Sequence, residues 1–237
     1  MIPVHNESSH LRETLEVLSK SSPVPIAKFV LAENGSTDTT VQELQKLNQS
    51  NPEKYEFVQI PQADFGLALR AALSFIAEMK IPPAQAEQTW VHFNGADIPF
   101  GTSDITAFRR LVVEHPKAVM FIGSKFHPNS QVERHWKRTL ASQIFFWLRF
   151  FMTGMKYRDT QGTLFFKWGE VARMAPALQT QGFITTTEMV YWLHRQGREI
   201  VEIPVVYGGE KRPSSVRLVR SGKAMLSQLV KLRKIHS

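Results

Sequence analysis

Apolar and polar positions alternate in blocks along the first 124 residues, and each change of rhythm marks a change of element. Ile2-Pro3-Val4 is an apolar stub, short for a first core strand, which leaves open a native start upstream of Met1. Beyond His5-Asn6-Glu7-Ser8-Ser9, the residues Leu11, Leu15 and Leu18 share one helix face, so Ser8 or Ser9 is expected to cap a helix running to about Ser19. Residues 27–32 read as a second buried strand, and the polar turn 33–40 leads into a helix through Leu47. Tyr55–Ile60 is a third strand, and Asp64-Phe65-Gly66 opens a helix over 67–79 that Pro82-Pro83 breaks. A strand at Trp90–Phe93, a helix at Ser103–Glu114 and a strand at 118–122 complete the order β-α-β-α-β-α-β-α-β. That alternation predicts an α/β fold, a mostly parallel sheet with helices on both faces.

From residue 125 the rhythm changes. Residues 132–155 read as one long helix or two short ones, 163–166 as a strand, 169–178 and 187–196 as helices. Residues 199–207 form a strong strand pattern whose internal Pro204 predicts an edge position or a bulge. Leu218, Met225, Leu229 and Leu232 then recur at roughly helical spacing.

Composition narrows the classes. A chain of 237 residues with 43% hydrophobic content can bury a real core, as one large domain or two small ones. The absence of cysteine excludes disulfides and thiolate metal sites and fits a reducing compartment. The formal charge is +8, and residues 211–237 carry eight basic side chains and no acid, so the excess sits in the tail. Such a tail implies a phosphate-rich partner. No stretch is long enough to span a bilayer, and residues 1–20 are patterned as structure, not as a signal peptide.

The candidate chemistry centres on Trp90-Val91-His92-Phe93-Asn94-Gly95-Ala96-Asp97. A buried strand ends on an Asn-Gly turn and presents one acid, Asp97, where open α/β sheets bind their ligands. That acid can hold a divalent metal against a diphosphate, or simply cap the next turn.

The order of turn motifs then resembles family-2 glycosyltransferases of the GT-A fold, a Rossmann-like mostly parallel sheet. The resemblance rests on Ile2-Pro3-Val4-His5-Asn6-Glu7, Ala32-Glu33-Asn34-Gly35-Ser36-Thr37-Asp38, Gly66-Leu67-Ala68-Leu69-Arg70 and Gly95-Ala96-Asp97. Gly123-Ser124-Lys125, Arg138 with Ser142, Asp159-Thr160-Gln161, Thr187-Glu188-Met189 and Glu202-Ile203-Pro204-Val205 are similar to the dolichyl- or polyprenyl-phosphate sugar transferases, the Asp-Thr-Gln wording to their glucosyl branch. Three departures stand out: Gly95 replaces the first acid of the metal pair, Asn34 stands where aspartate is usual, and Gly162-Thr163 makes the turn after Gln161 about one residue short.

The resemblance implies a GT-A-like domain over 1–210, with a nucleotide half at about 1–124 and an acceptor half at about 125–210, followed by a basic amphipathic segment at 211–237. It implies inverting transfer of a hexose, glucose on the wording, from a nucleotide-diphosphate sugar to a lipid phosphate at the membrane surface. Pro3, His5, Glu7, Asn34, Gly66 and Asp97 would bind the donor, with Arg212 and Arg217 closing over the diphosphate. Asp97 would hold Mg²⁺ or Mn²⁺, though Gly95 leaves weak or absent metal dependence open. Lys125, Arg134, Arg138 and Ser142 would clamp the acceptor phosphate, and Asp159, Gln161 and Glu188 would lie near the transferred sugar, Glu188 serving as base for a hydroxyl acceptor. A lipid phosphate is already a nucleophile at neutral pH and requires no base. The five aromatics Phe145, Phe146, Trp147, Phe150 and Phe151 cover too much of a helix for one core face, which predicts partial membrane or partner contact. The expected setting is cytoplasmic and peripheral at the membrane, with room for a membrane-anchoring subunit. The competing readings are a glycan or soluble hydroxyl acceptor, and a catalytically silent GT-A binding protein. A nucleic-acid partner is disfavoured, because the aromatics cluster instead of interleaving with the basic residues.

Overall fold

The computed structural model describes residues 1–133, 136–208 and 218–235, with side chains given except at 21, 134–141 and 209–226. The first half follows the alternation: β1 (Ile2–Val4), α1 (Leu11–Ser21), β2 (Phe29–Asn34), α2 (Thr40–Ser50), β3 (Tyr55–Ile60), α3 (Phe65–Glu78), the short α4 (Pro83–Ala86), β4 (Trp90–Phe93), α5 (Ser103–Glu114) and β5 (Met120–Ser124). The second half adds β6 (Gln131–Val132), α6 (Trp136–Thr153), β7 (Leu164–Lys167), α7 (Trp168–Met174), a 3₁₀ turn, α8 (Ile184–Arg195), β8 (Ile200–Pro204), β9 (Val206–Tyr207) and α9 (Leu218–Ile235).

Strands β1, β2 and β3 form one parallel ladder, and β4, β7, β5 and β8 pair in that order in a second. The Met1 amino group donates to the His92 carbonyl at 2.7 Å and the Asn94 N–H donates to the Met1 carbonyl at 3.1 Å. These bonds have parallel spacing and bring β1 alongside β4, so the strands run β3-β2-β1-β4-β7-β5-β8 across the molecule. Only β7 in this row is antiparallel to its neighbours. Its reversal has a consequence for the site: the turn before β7 emerges at the same edge as the carboxyl ends of the parallel strands. Strand β8 lies at the edge, with Pro204 as its last residue and the break to β9 at Val205, as the proline required.

Both faces are covered. Met120, Ile122, Leu164 and Phe166 point into a core shared with Leu69, Leu73, Val190 and Leu193. Phe121 and Phe165, one position out of phase, join Leu11, Leu15, Leu44, Ile105 and Phe108 on the other side. This two-residue period is what a strand buried on both faces produces. Strands β2 and β5 sit two residues later than their apolar runs suggest, because Glu33 and Asn34 continue the ladder opposite Gln59 and Ile60, and Ser124 pairs with Pro204. Helix α1 is preceded by His10 without a side-chain cap; the Ser8 hydroxyl donates instead to Asp38 at 2.7 Å.

Candidate active site

The site is built from turns at one edge of the sheet. The turn after β1 leaves Asn6 in the left-handed region, φ 55°. Its Oδ1 accepts from the Thr37 and Asp38 N–H groups, while the Glu7 N–H donates to Thr40 Oγ1 at 2.9 Å. His5 Nδ1 lies 2.7 Å from the Asn34 carbonyl. The first and second turns are thereby knitted into one surface. Below it, Glu33 is fully buried; its Oε1 accepts from Ser36 N–H, and Glu33 Oε2 and Asn34 Oδ1 have no hydrogen-bond partner. Both oxygens are closed off from solvent beneath the two turns. Pro3 is buried within β1, and Glu7 is half-buried at its exit.

Gly35 adopts φ +61°, and a Cβ there would stand 2.7 Å from the Ala63 amide nitrogen, so the second turn touches the start of α3. Asp64 caps that helix: its Oδ1 accepts from Leu67 N–H at 2.8 Å and from Gly182 N–H at 3.1 Å. A Cβ on Gly66 would collide with Thr185 Oγ1 and lie 2.6 Å from the Gly182 nitrogen. Close packing of α3 on the 182–185 turn therefore explains this glycine directly.

At the centre, the Gly95 carbonyl accepts from Ile98 N–H at 3.1 Å, and Thr14 Oγ1 donates to the Ala96 carbonyl at 2.8 Å. The turn leaves Asp97 exposed. A Cβ on Gly95 would lie 2.5 Å from Asp97 Oδ1, so the carboxylate folds over the glycine. Among the described residues no group of three histidines or acids could enclose a metal ion. The donor set of this turn is one carboxylate, enough for a Mg²⁺ or Mn²⁺ ion whose other ligands are phosphate and water.

The far side gathers Lys125, at the end of β5, and Asp159, from the turn before β7. Asp159 Oδ2 accepts from the Lys125 N–H at 3.1 Å and lies 3.8 Å from its Nζ. Glu202 on β8 holds this turn from below, its Oε1 accepting from Arg158 N–H at 2.9 Å and Asp159 N–H at 3.2 Å. A Cβ on Gly162 would fall on the Gly123 carbonyl, which explains the Gly-Thr turn after the exposed Gln161. Glu188 is fully buried and accepts from Gln179 N–H, Thr180 N–H and Thr180 Oγ1, anchoring the 178–182 segment.

Pro3, His5, Glu7 and Asn34 thus cluster around one pair of turns, Asp97 stands apart on its own turn, and Lys125 meets Asp159. Ser142 is half-buried on α6. The side chains of Arg134, Arg138, Arg212 and Arg217 lie outside the described residues. Glu33 and Glu202 stood inside the motifs without being given a role, and Arg149 was given none either. The signal for Arg149 was present, a single charge inside an aromatic run, and for Glu202 an acid within an apolar strand.

An open α/β sheet with turns of this order along its carboxyl edge defines a GT-A-type nucleotide-sugar transferase fold. Residues 1–175 match Glycosyl transferase family 2, and the chain belongs to that family. It is accordingly a nucleotide-sugar-dependent glycosyltransferase. Among solved structures, it resembles glucosyl-3-phosphoglycerate synthase from Mycobacterium tuberculosis in complex with Mn²⁺, UDP and phosphoglyceric acid, at 14% identity and TM-score 0.61, covering 99% of this chain and 76% of that one. The same enzyme with Mg²⁺ and UDP matches at 14% identity and TM-score 0.61, covering 99% and 77%. With Mn²⁺, UDP-glucose and phosphoglyceric acid it matches at 14% and 0.60, again over 99% and 77%. No curated protein sequence matches the chain.

Proposed function

We propose that this enzyme transfers a hexose, glucose in the first instance, from a nucleotide-diphosphate sugar to a polyprenyl or dolichyl phosphate at a membrane surface. The observation that carries the reading is the outer face of α6. Ile144, Trp147, Leu148 and Phe151 recur at helical spacing and stay exposed, Phe151 at 77% and Trp147 at 51%. The inner side of the same helix packs Phe145 and Met152 on the core and ends beside the Lys125–Asp159 corner. Helix α9 packs against α6 and adds exposed Lys231 and Arg233. Apolar rings flanked by cations suit the boundary of a lipid surface with anionic headgroups. No described helix is long and apolar enough to cross a membrane.

The chemistry is a single displacement. An acceptor phosphate oxygen attacks the anomeric carbon, the bond to the donor diphosphate breaks, and the nucleoside diphosphate leaves with inversion. Asn34, with His5 held against its carbonyl, would meet the base edge, and Pro3, Glu7 and Gly66 shape the surrounding turns. Lys125 attracts the acceptor phosphate; Ser142, Arg134 and Arg138 complete the clamp, and Arg212 and Arg217 act on the diphosphate. Asp159 and Gln161 border the sugar. Asp97 would hold Mg²⁺ or Mn²⁺, which supplies positive charge for the departing diphosphate. Full burial of Glu188 under three donated hydrogen bonds favours a phosphate dianion as acceptor, since that nucleophile requires no base.

A second reading has one observation in its favour: two of the three synthase structures above carry phosphoglyceric acid, a small phosphorylated acceptor. One experiment separates the two. Transfer is measured with UDP-glucose and other nucleotide sugars, with and without Mn²⁺, offering a short polyprenyl phosphate or phosphoglycerate, for wild type and Asp97→Ala. Lipid-dependent turnover, lowered about a hundredfold or more in the variant, is expected. Turnover with phosphoglycerate and none with the lipid would replace the lipid reading, and no nucleotide binding in any combination would leave a silent fold.

A further inference from the structure

Helix α6 turns one cation inward. Arg149 is fully buried, its guanidinium 5.5 Å from the Phe146 ring centre and 6.0 Å from that of Phe145. Nη2 donates to the Tyr157 carbonyl, while Nε and Nη1 have no partner. Burial pushes its pKa down to about 10, and the negative charges of Asp159 and Glu202 pull in the other direction, so it stays a cation at neutral pH. An apolar side chain of similar volume would fill this place at lower cost. What the guanidinium adds is a grip on one carbonyl and a positive field on two carboxylates.

We propose that Arg149 is a positioning residue for the acceptor side: it holds the Tyr157 carbonyl and thereby fixes the turn from which Asp159 meets Lys125. The inference rests on the reading that Lys125 attracts the acceptor phosphate and that Asp159, paired with it, borders the sugar. The turn is clamped from two directions, by a cation on its carbonyl from α6 and by the Glu202 carboxylate on the Arg158 and Asp159 N–H groups from β8. Asp159 Oδ2 is then directed at the Lys125 N–H. The other face of α6 is the exposed apolar stripe, so the same helix that would meet lipid also grips the turn at the acceptor corner.

The test is a double-mutant cycle on the full chain: Arg149→Met, Asp159→Asn and the pair, read as transfer to polyprenyl phosphate, with donor KM and circular dichroism measured in parallel. Arg149→Met is expected to keep its fold and its donor KM within about twofold, and to lose about tenfold or more in kcat/KM for the acceptor. The two losses should fail to add, because one acts through the other, and Arg149→Lys should restore part of the activity. Additive losses, or a folded Arg149→Met with wild-type transfer, would overturn the inference. Should Arg149→Met fail to fold, the same cycle run with Arg149→Lys decides by the same additivity. If Asp159→Asn alone leaves transfer unchanged, the role of Asp159 beside the sugar falls, an outcome distinct from additivity.

Discussion

At position 95 a glycine leaves Asp97 as the sole carboxylate of its turn, and the space above the glycine is filled by that carboxylate. The obstruction is the end of a flexible side chain, and Gly95 does not have a positive φ, so an aspartate can be accommodated there. Gly95→Asp is expected to tighten Mn²⁺ binding in the presence of UDP by about tenfold, because ligand charge sets affinity at such sites; calorimetric titration checks it. A second residue-scale expectation concerns acid. Burial raises the Asp38 pKa, but hydrogen bonds from Thr40 and Ser8 outweigh it and hold the carboxyl at about 2, below its ordinary 3.8. The folded state therefore favours the ionised form, and its contribution is present above the ordinary value and lost as pH falls toward the folded one. The stability gap between wild type and Asp38→Asn should be constant at neutral pH and should close in acid, as followed by denaturant titration at stepped pH.

Among the elements, α6 is the one whose faces diverge most. Five crowded aromatics predicted that one core face could not hold them all, and the structure divides them: Phe145 turns to the core and Trp147 and Phe151 turn outward. Trp147 and Phe151 stack at 5.9 Å, so the outer face is an ordered aromatic surface. Replacing both with glutamate should leave the melting temperature near that of wild type while lowering binding to anionic vesicles by about tenfold or more, as sedimentation with liposomes measures. Unchanged vesicle binding would remove the membrane from the function. Strand boundaries show where local pattern suffices. Tyr55–Ile60 and Trp90–Phe93 were legible to the residue because polar turns bound both apolar runs. Strands β2 and β5 were not, because their last residues are polar and are kept extended by partners distant in sequence.

Over the whole molecule, the basic amphipathic segment at the end of the chain contributes its apolar face to the core. Leu229 and Leu232 of α9 are fully buried in the cluster that contains Leu73 and Val190, and α9 packs on both α6 and α8. Leu232→Ala is expected to cost about 3 kcal/mol of stability, the usual penalty for emptying a buried leucine site, visible as a lower denaturant midpoint. A midpoint unchanged by this substitution would remove α9 from the stabilising core.

The sequence by itself determined the α/β class, the main elements of the first 124 residues, the turns that carry Asn34, Asp97 and Lys125, and the anomaly at Gly95. These are properties of local periodicity and of turn chemistry, which depend on neighbours a few residues away. Only the tertiary structure decided that β7 runs backwards and delivers Asp159 to Lys125, that Gly66 serves helix packing, that Glu188 anchors the 178–182 segment, and that Arg149 lies beneath the Lys125–Asp159 corner. Those facts depend on strand pairing and burial between residues tens of positions apart, for which no short-range pattern exists.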